Sequence, residues 1–176
     1  MTDPITIRPM QEQDCAALSK AFAQQGWHKP ASQYQAYLRE SAAGQRTALV
    51  AELRGRLAGY VTIVWLSGYP PFRQAGIPEI VDLNVLIAHQ RQGVGAALLA
   101  AAEQRIAQRS PAAGIGVGLT ADYGPAQRLY VRRGYVPDGR GLHAHGQPVA
   151  PNDTLPVADA ELHLLKRLDR RIDTKE

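Results

Sequence analysis

The stretch Pro78–Arg109, PEIVDLNVLIAHQRQGVGAALLAAAEQRIAQR, decides how the chain is built. Residues 79–87 form an apolar run of strand length. From Gly93 to Arg109, the residues Val94, Ala97, Leu98, Ala101 and Ile106 recur at helical spacing, and Ser110-Pro111 closes the helix. Between strand and helix lies His89-Gln90-Arg91-Gln92-Gly93-Val94-Gly95-Ala96. A glycine loop feeding a helix N-terminus is an anion site, because backbone N–H groups converge there and the helix dipole favours negative charge. Glycines at 93 and 95 let a phosphate reach N–H groups that a Cβ would obstruct.

Working outward, the downstream half continues the alternation of strand and helix. Residues 114–120 (GIGVGLT) read as a glycine-rich strand, and glycine in a strand marks close backbone approach. A helix follows, with Asp122 near its cap, Pro125 in the first turn and Gly134 at its exit. Tyr135-Val136 starts a strand that Pro137-Asp138-Gly139 turns. Residues 140–158 read as loop and hairpin, and residues 161–168 as a last strand before a charged tail.

Upstream, Ile5–Arg8 alternates as a strand ended by Pro9, and residues 11–25 form an amphipathic helix stopped by Gly26. Ser32 and Gln35 offer a capping box for a second helix that leaves at Gly44. Strands at 46–53 and 57–66, joined by Arg54-Gly55-Arg56, make an antiparallel hairpin. Residues 67–78 (SGYPPFRQAGIP) show no periodicity and read as a functional loop; Trp65, Tyr69 and Phe72 either line a pocket or plug the core edge. The order β-α-α-β-β-β-α-β-α-β-β is mixed α/β, and the unit 79–120 implies a right-handed crossover with local parallel pairing. No linker or repeat divides the chain, so one domain over residues 1–176 is expected, with 169–176 as tail.

Composition bounds the function. Of 176 residues, 45% are hydrophobic and 20% charged, ordinary for a globular protein with a proper core. No apolar run reaches membrane-span length, and MTDPITIRPM lacks a signal-sequence pattern, so a cytoplasmic protein is expected. The single cysteine, Cys15, excludes a disulfide framework and reads as a buried thiol. The net charge of +4 comes from basic residues interleaved with acids, which favours a solvated surface over a nucleic-acid arm. His143 and His145 lack a partner at metal-ligand spacing and read as surface-loop residues; no metal is expected.

Two other phosphate loops fail on sequence. A P-loop needs Gly-Lys-Ser/Thr, whereas Gly95 is followed by Ala96-Ala97. A dinucleotide fingerprint needs a third glycine where Leu98 stands. The loop instead resembles the Q/R-x-x-G-x-G/A signature of the GNAT superfamily of acyl-CoA N-acyltransferases, with Gln90, Gly93 and Gly95 in its positions. Downstream, Ala126-Gln127-Arg128-Leu129-Tyr130-Val131-Arg132-Arg133-Gly134-Tyr135 resembles the superfamily's A-x-x-L-Y-x-x-x-G-F/Y segment. Glu79, fourteen residues before Gly93, stands where the histone-acetyltransferase branch carries a glutamate. One departure is Tyr123, seven residues before Tyr130, where many members have Asn; that contact with the pantetheine arm is not carried over.

The resemblance implies a mixed, mostly antiparallel central sheet with one splayed pair of strands (79–87 and 114–120), flanked by about four helices. It implies direct acetyl transfer from acetyl-CoA to a primary amine of a small molecule or peptide, without a covalent enzyme intermediate. A non-catalytic acyl-CoA-binding sensor on the same fold is the alternative. Tyr130 is the expected acid for the departing sulfur, its phenol staying protonated near neutrality. Glu79 is the first candidate base; Asp82 or a water relay is the alternative, and on an unbulged strand Asp82 faces away from Glu79. Cofactor contacts are expected from Val85, Leu86, Ile87, Gln90, Arg91, Gln92, Gly93, Val94, Gly95, Ala96, Ala126 and Tyr130. A backbone N–H near Leu86 or Ile87 is expected to polarise the thioester carbonyl. Trp27, Tyr34, Tyr69 and Phe72 point to a partly apolar acceptor. Acetyl-CoA and an amine are the expected partners, with no nucleic acid and no membrane, and a homodimer is left open.

Overall fold

The computed structural model describes residues 4–168, so the tail expected at 169–176 lies outside the described residues. The chain divides into two compact units. One takes the described residues up to Trp65 together with Ile80–Gln104; the other takes Leu66–Glu79 and the described residues from Arg105 on. No described helix is long and apolar enough to cross a membrane.

The first unit holds β1 (Ile5–Pro9), α1 (Glu12–Gln24), α2 (Ala31–Ala42), β2 (Arg46–Leu53), β3 (Arg56–Val64), all of β4 (Glu79–Val85) except its first residue, and most of α4 (Val94–Ala107). β1 pairs antiparallel with β2, from Ile5 opposite Leu53 to Pro9 opposite Leu49. β2 and β3 form the expected hairpin, tighter than the sequence reading: Leu53 faces Arg56, and only Arg54 (φ 55°) and Gly55 (φ 70°) make the turn. Two residues at positive φ match the right-handed strand twist. β4 lies antiparallel beside β3, since Leu86 N–H donates to the Ala58 carbonyl (2.9 Å) and Thr62 Oγ1 to the Val81 carbonyl (2.9 Å).

Helices α1 and α2 cover this sheet. Leu18, Phe22, Tyr34 and Tyr60 are fully buried, and the Tyr60 ring meets Phe22 and Tyr34 edge-on at 5.6 and 5.2 Å. Burying each such side chain contributes about 1.5–3 kcal/mol. Cys15 is buried among them, as its helical position predicts. α2 starts at Ala31, directly after Pro30 (φ −68°), and not at Ser32. The expected box does not form, because Pro30 already sets the entry angle and Gln35 Nε2 donates instead to Glu12 (3.2 Å).

The second unit holds α3 (Pro70–Ala75), β5 (Ala112–Gly118), α5 (Gly124–Arg132), β6 (Val136–Ala144), β7 (Gln147–Pro148) and β8 (Ala160–Arg167). β8 pairs antiparallel with β5 on one side and β6 on the other, and β7 adds to β6. The β1–β2, β2–β3, β5–β8, β6–β7 and β6–β8 pairs are all antiparallel, so the chain is mixed α/β and mostly antiparallel, as expected.

Three local readings are corrected here. Residues 67–78 contain α3, a fifth helix beyond the four expected; Pro70 sits at its first turn and Gly76 (φ 65°) ends it in the left-handed conformation. Pro137-Asp138-Gly139 does not end a strand. β6 passes through it as an irregularity between Pro137 and Leu142, with Gly139 (φ 83°) and Gly141 (φ 72°) absorbing the bend. The glycine-rich strand begins at Ala112 and ends at Gly118, two residues earlier than expected at each end. Its glycines accommodate aromatic rings: a Cβ at Gly114 would collide with Phe72, and one at Gly118 would lie 2.5 Å from Tyr123.

Candidate functional site

In the first unit the acidic residue of β4 is fully engaged. Asp82 has φ 59°, a left-handed conformation that breaks the alternation assumed for an unbulged strand. Its carboxylate accepts from Lys29 Nζ (3.1 Å), Gln33 Nε2 (3.0 Å), Tyr37 OH (2.9 Å), Tyr60 OH (2.7 Å) and Asn84 Nδ2 (2.6 Å). Burial opposes its charge, but the Tyr60 hydrogen bond and the Lys29 charge outweigh it and hold the carboxyl below the ordinary aspartate value. A carboxylate with five donors is a poor proton acceptor. Asp82 is the anchor that ties α2 and the loop before it to β4.

The glycine loop follows in the same unit. Gln90, Arg91, Gln92 and Gly93 are exposed, Val94 is buried, and Gly95 and Ala96 are half-buried. Arg91 (φ 60°) and Gly93 (φ 87°) are both left-handed, the first at a cost of about 1–3 kcal/mol because it carries a Cβ. Gln90 Nε2 donates back to the Val85 carbonyl (3.2 Å) and Gln92 Nε2 to the Ala88 carbonyl (3.0 Å), so both side chains brace the loop. Ala97 N–H, bonded to the Gly93 carbonyl (2.9 Å), begins the helical ladder of α4. The N–H groups of the turn before it have no intrahelical partner and lie at the positive end of a 14-residue helix. A pyrophosphate fits this cradle.

At the end of β4 the two N–H groups expected to polarise a carbonyl already have partners. Leu86 N–H serves the sheet through Ala58, and Ile87 N–H donates to Gln25 Oε1 (2.9 Å). Only the second is held by an exchangeable side chain. Ile87 itself is 55% exposed, whereas Leu86 is buried.

The second unit holds Glu79 in a set of groups that come from four segments. Ser67 Oγ donates to Glu79 Oε2 at 2.5 Å and accepts from Tyr69 N–H at 2.9 Å. Glu79 Oε1 faces His163 Nε2 at 3.9 Å. The side chain is 13% exposed, and burial pushes its carboxyl above the ordinary glutamate value against the Ser67 hydrogen bond, with Glu161 adding repulsion. His163 is buried, stacked on Tyr69 at 3.6 Å and edge-on to Phe72 and His143. Burial, then the neighbouring His143, lowers its pKa to about 4, so it is neutral at pH 7. Tyr69 OH donates to Asp138 (2.8 Å). Across the sheet, Gly116 pairs with His163; a Cβ there would lie 3.5 Å from Nε2 and 3.7 Å from Glu79 Oε1. Gly116 therefore sets no side chain against that edge of the carboxylate.

Tyr130 lies in the same unit, on α5, where Pro125 in the first turn and Gly134 (φ 88°) just past the end match the sequence reading. The residue is 6% exposed, and burial first, then Tyr123, raises its phenol well above the ordinary tyrosine value. Its hydroxyl takes no hydrogen bond among the described residues, so its proton is available to a ligand. Tyr123, 45% exposed, lays its ring over Gly118, and Gln127 Nε2 donates to the Gly118 carbonyl (2.9 Å). Ala126 is half-buried on the same helix.

The structure thus brings Val85 to Ala96 together in one unit, and places Glu79, Ala126 and Tyr130 in the other. It corrects three readings. His143 is buried in the Tyr69–His163 cluster and is no surface residue, although His145 is exposed and faces Asp159 (3.6 Å). Tyr34, Tyr69 and Phe72 are 0–3% exposed and form core, leaving Trp27 as the exposed aromatic of the four. Asp82 is a structural anchor. Sequence reading missed Ser67, His163 and Asp138 altogether. Among the described residues no group of three or more His, Cys, Asp or Glu is placed to hold a metal ion.

A model described as the Acetyltransferase (GNAT) family matches residues 13–135. A comparison with curated proteins finds no match. Among solved structures, yncA of Salmonella typhimurium, described as an acetyltransferase with its cofactor acetyl-CoA, is similar with a TM-score of 0.68 at 19% identity, over 96% of each chain. A ribosomal-protein-alanine N-acetyltransferase from Brucella melitensis is similar with a TM-score of 0.68 at 18% identity, over 93% of this chain and 99% of that one. Ard1 from Thermoplasma volcanium gives a TM-score of 0.66 at 18% identity, over 93% and 97%. Identities this low speak to fold.

Proposed function

The chain belongs to the acetyltransferase (GNAT) family, and from that premise we propose that it moves the acetyl group of acetyl-CoA to a primary amine of a small molecule or peptide, by direct attack and with no covalent enzyme intermediate. The observation that carries the catalytic reading is Glu79: a buried carboxylate with a raised pKa, one oxygen held by Ser67 and the other facing Gly116 and His163 without a direct hydrogen bond. A base must be deprotonated near neutrality and still want a proton, and burial moves Glu79 in that direction.

Acetyl-CoA supplies a thioester whose carbonyl carbon is open to a nucleophile. The chain supplies the rest. Arg91 and the N–H groups of Gly93 to Ala96 hold the pyrophosphate. Ile87 N–H, released by Gln25, donates to the carbonyl oxygen. Glu79 takes one proton from the incoming ammonium, which frees the nitrogen lone pair. As the C–N bond forms and the C–S bond breaks, Tyr130 gives its proton to the departing sulfur and recovers the second proton of the nitrogen. One proton then leaves Glu79 for solvent, and the balance closes.

Tyr130→Phe tests this reading. It removes one oxygen from a well-packed site, so acetyl-CoA Kd stays unchanged while kcat falls about 10²-fold. Normal turnover by Tyr130→Phe overturns the acid assignment. Tight acetyl-CoA binding by the wild type with no turnover of any amine establishes the sensor.

A further inference from the structure

Glu79 does not stand alone, and its neighbour on β8 has a role that neither the loop motif nor the helix motif contains. His163 pairs with Gly116 across the β5–β8 register, which sets its ring over the stretch of β5 that carries no side chain. Tyr69 fixes the ring plane by stacking at 3.6 Å and 6°, and Phe72 and His143 close two further edges at 5.7 and 5.8 Å. The plane of the imidazole is therefore fixed.

Its tautomer follows from what its two nitrogens meet. Nδ1 is buried without a hydrogen-bond partner. A proton there would be a buried, unsatisfied donor, which is expensive, whereas a bare lone pair costs less. Nε2, in contrast, faces two carboxylates, Glu79 Oε1 and Glu161 Oε2, each at 3.9 Å. The proton is thereby assigned to Nε2, where it points at acceptors. A separation of 3.9 Å is longer than a direct hydrogen bond and suits a single bridging water or a small shift of the glutamate.

We propose that His163 is a positioning residue for Glu79: a neutral imidazole whose Nε2–H faces Oε1, orients the carboxylate and stabilises its charged form. This rests on the reading of Glu79 as the base. Ser67 serves Oε2 from one side and His163 serves Oε1 from the other, while the open edge at Gly116 receives the amine proton. In the step itself an N–H bond of the ammonium breaks, an O–H bond forms on Oε1, and His163 keeps its own proton. The other titratable and charged groups around the pair are Glu161 on β8, His143, Asp138 and Arg140 on β6, and Tyr69 and Arg73 on the segment before β4. Of these Glu161 opposes the charge on Glu79, and Arg73 donates to the Ser67 carbonyl (2.8 Å) and not to Glu79.

Two measurements on the full chain test it. In protein carrying ¹³C-labelled glutamate carboxyls, with the Glu79 signal assigned by Glu79→Gln, His163→Phe keeps the stack on Tyr69 and removes the donor; the Glu79 midpoint rises by about one pH unit, and His163→Gln restores most of it. An unchanged midpoint in His163→Phe overturns the proposal. In wild-type protein, ¹⁵N shifts of the His163 ring report a neutral Nε2–H tautomer from pH 6 to 8, and a Nδ1–H tautomer or an imidazolium overturns it without any variant having to fold. The two failures are separable by rate. If Glu79→Gln retains the wild-type pH–rate profile, the base reading itself falls, and the inference with it. If Glu79→Gln loses the acid limb while His163→Phe leaves the midpoint in place, only the inference falls.

Discussion

Ser67 Oγ donates a 2.5 Å hydrogen bond to one oxygen of Glu79 and leaves the other oxygen to face a bare glycine and His163 Nε2. Charge on a buried carboxylate is unfavourable, and one donor only partly relieves it, so the site trades stability for basicity. Glu79→Gln should show both sides of that trade. The folded pKa lies above the ordinary 4.5, so the penalty is fully present above the raised value, fades as pH falls through it, and is gone below 4.5, where folded and unfolded states are both protonated. Thermal melts from pH 8 to 4 should therefore find Glu79→Gln more stable than wild type at the alkaline end, by about 2–4 °C per kcal/mol relieved, with the gap closing at the acid end. Its turnover should fall about 10²-fold at pH 7. A variant less stable at every pH would mean the carboxylate is a net stabiliser.

Asp82 behaves in the opposite way. With five donors its folded pKa is depressed, so its contribution is present above the ordinary 3.8 and is lost as pH falls through the lower folded value. Asp82→Ala strands Lys29 and the Tyr37 and Tyr60 hydroxyls and should lower unfolding free energy by about 3–5 kcal/mol at pH 7. Asp82→Asn tolerates the left-handed backbone and should lose less, and its denaturation midpoint should be flatter between pH 7 and pH 3 than that of the wild type. Urea titrations at the two pH values check both; equal losses for the two variants would show that charge is irrelevant there.

How much of this could be read in advance depended on sequence distance. The glycine loop and α5 were legible because each is a local device: Gly93 and Gly95 precede their helix directly, and Pro125 and Gly134 bracket theirs. Tyr130 and Glu79 were singled out by the resemblance of their segments to the family's helix and strand motifs. His163 was not, because it comes to Glu79 only through the register of β5 with β8, where Gly116 faces it, and Ser67 was not, because its bond to Glu79 forms only once residues 67–79 fold back on themselves. Packing against His163 made core of Tyr69 and Phe72, and packing against Tyr60 and Tyr37 did the same for Tyr34. A missed local signal did exist in α3, where Pro70 and Gly76 carry start and stop marks that the short, aperiodic segment obscured. The bend in β6 misled because Pro137-Asp138-Gly139 reads as a turn, while the neighbour β8 keeps the chain in the sheet through it.

The glycines of β5 give a fold-against-function pair. At Gly114 a methyl collides with the Phe72 ring, so Gly114→Ala should lower stability by about 1–3 kcal/mol. At Gly116 the nearest atoms to a methyl are His163 Nε2 at 3.5 Å and Glu79 Oε1 at 3.7 Å, ordinary contact distances. Gly116→Ala should therefore melt within about 0.5 kcal/mol of wild type, yet lose activity on the order of tenfold or more because the methyl covers the open edge of the base. Paired melts and initial rates decide it; full activity in Gly116→Ala would move the proton acceptor away from Oε1.

In the glycine loop, Gly93 sits at φ 87°, with Ile5 Cδ1 3.6 Å from where a Cβ would lie. Gly93→Ala strains the turn by about 1–2 kcal/mol and tilts the N–H groups that face the phosphates. The Kd for coenzyme A, by calorimetry, should weaken by about tenfold, with the acceptor KM little changed. An unaltered Kd would place the pyrophosphate elsewhere.

The most direct test of the whole account is thiol release from acetyl-CoA by the wild-type protein against a panel of primary amines and N-terminal peptides, with the acetylated product identified by mass. Amine-dependent release of one thiol per N-acetyl group formed, rising with pH through the titration of Glu79, is the predicted result. Tight acetyl-CoA binding with no thiol release above background for any amine would contradict it.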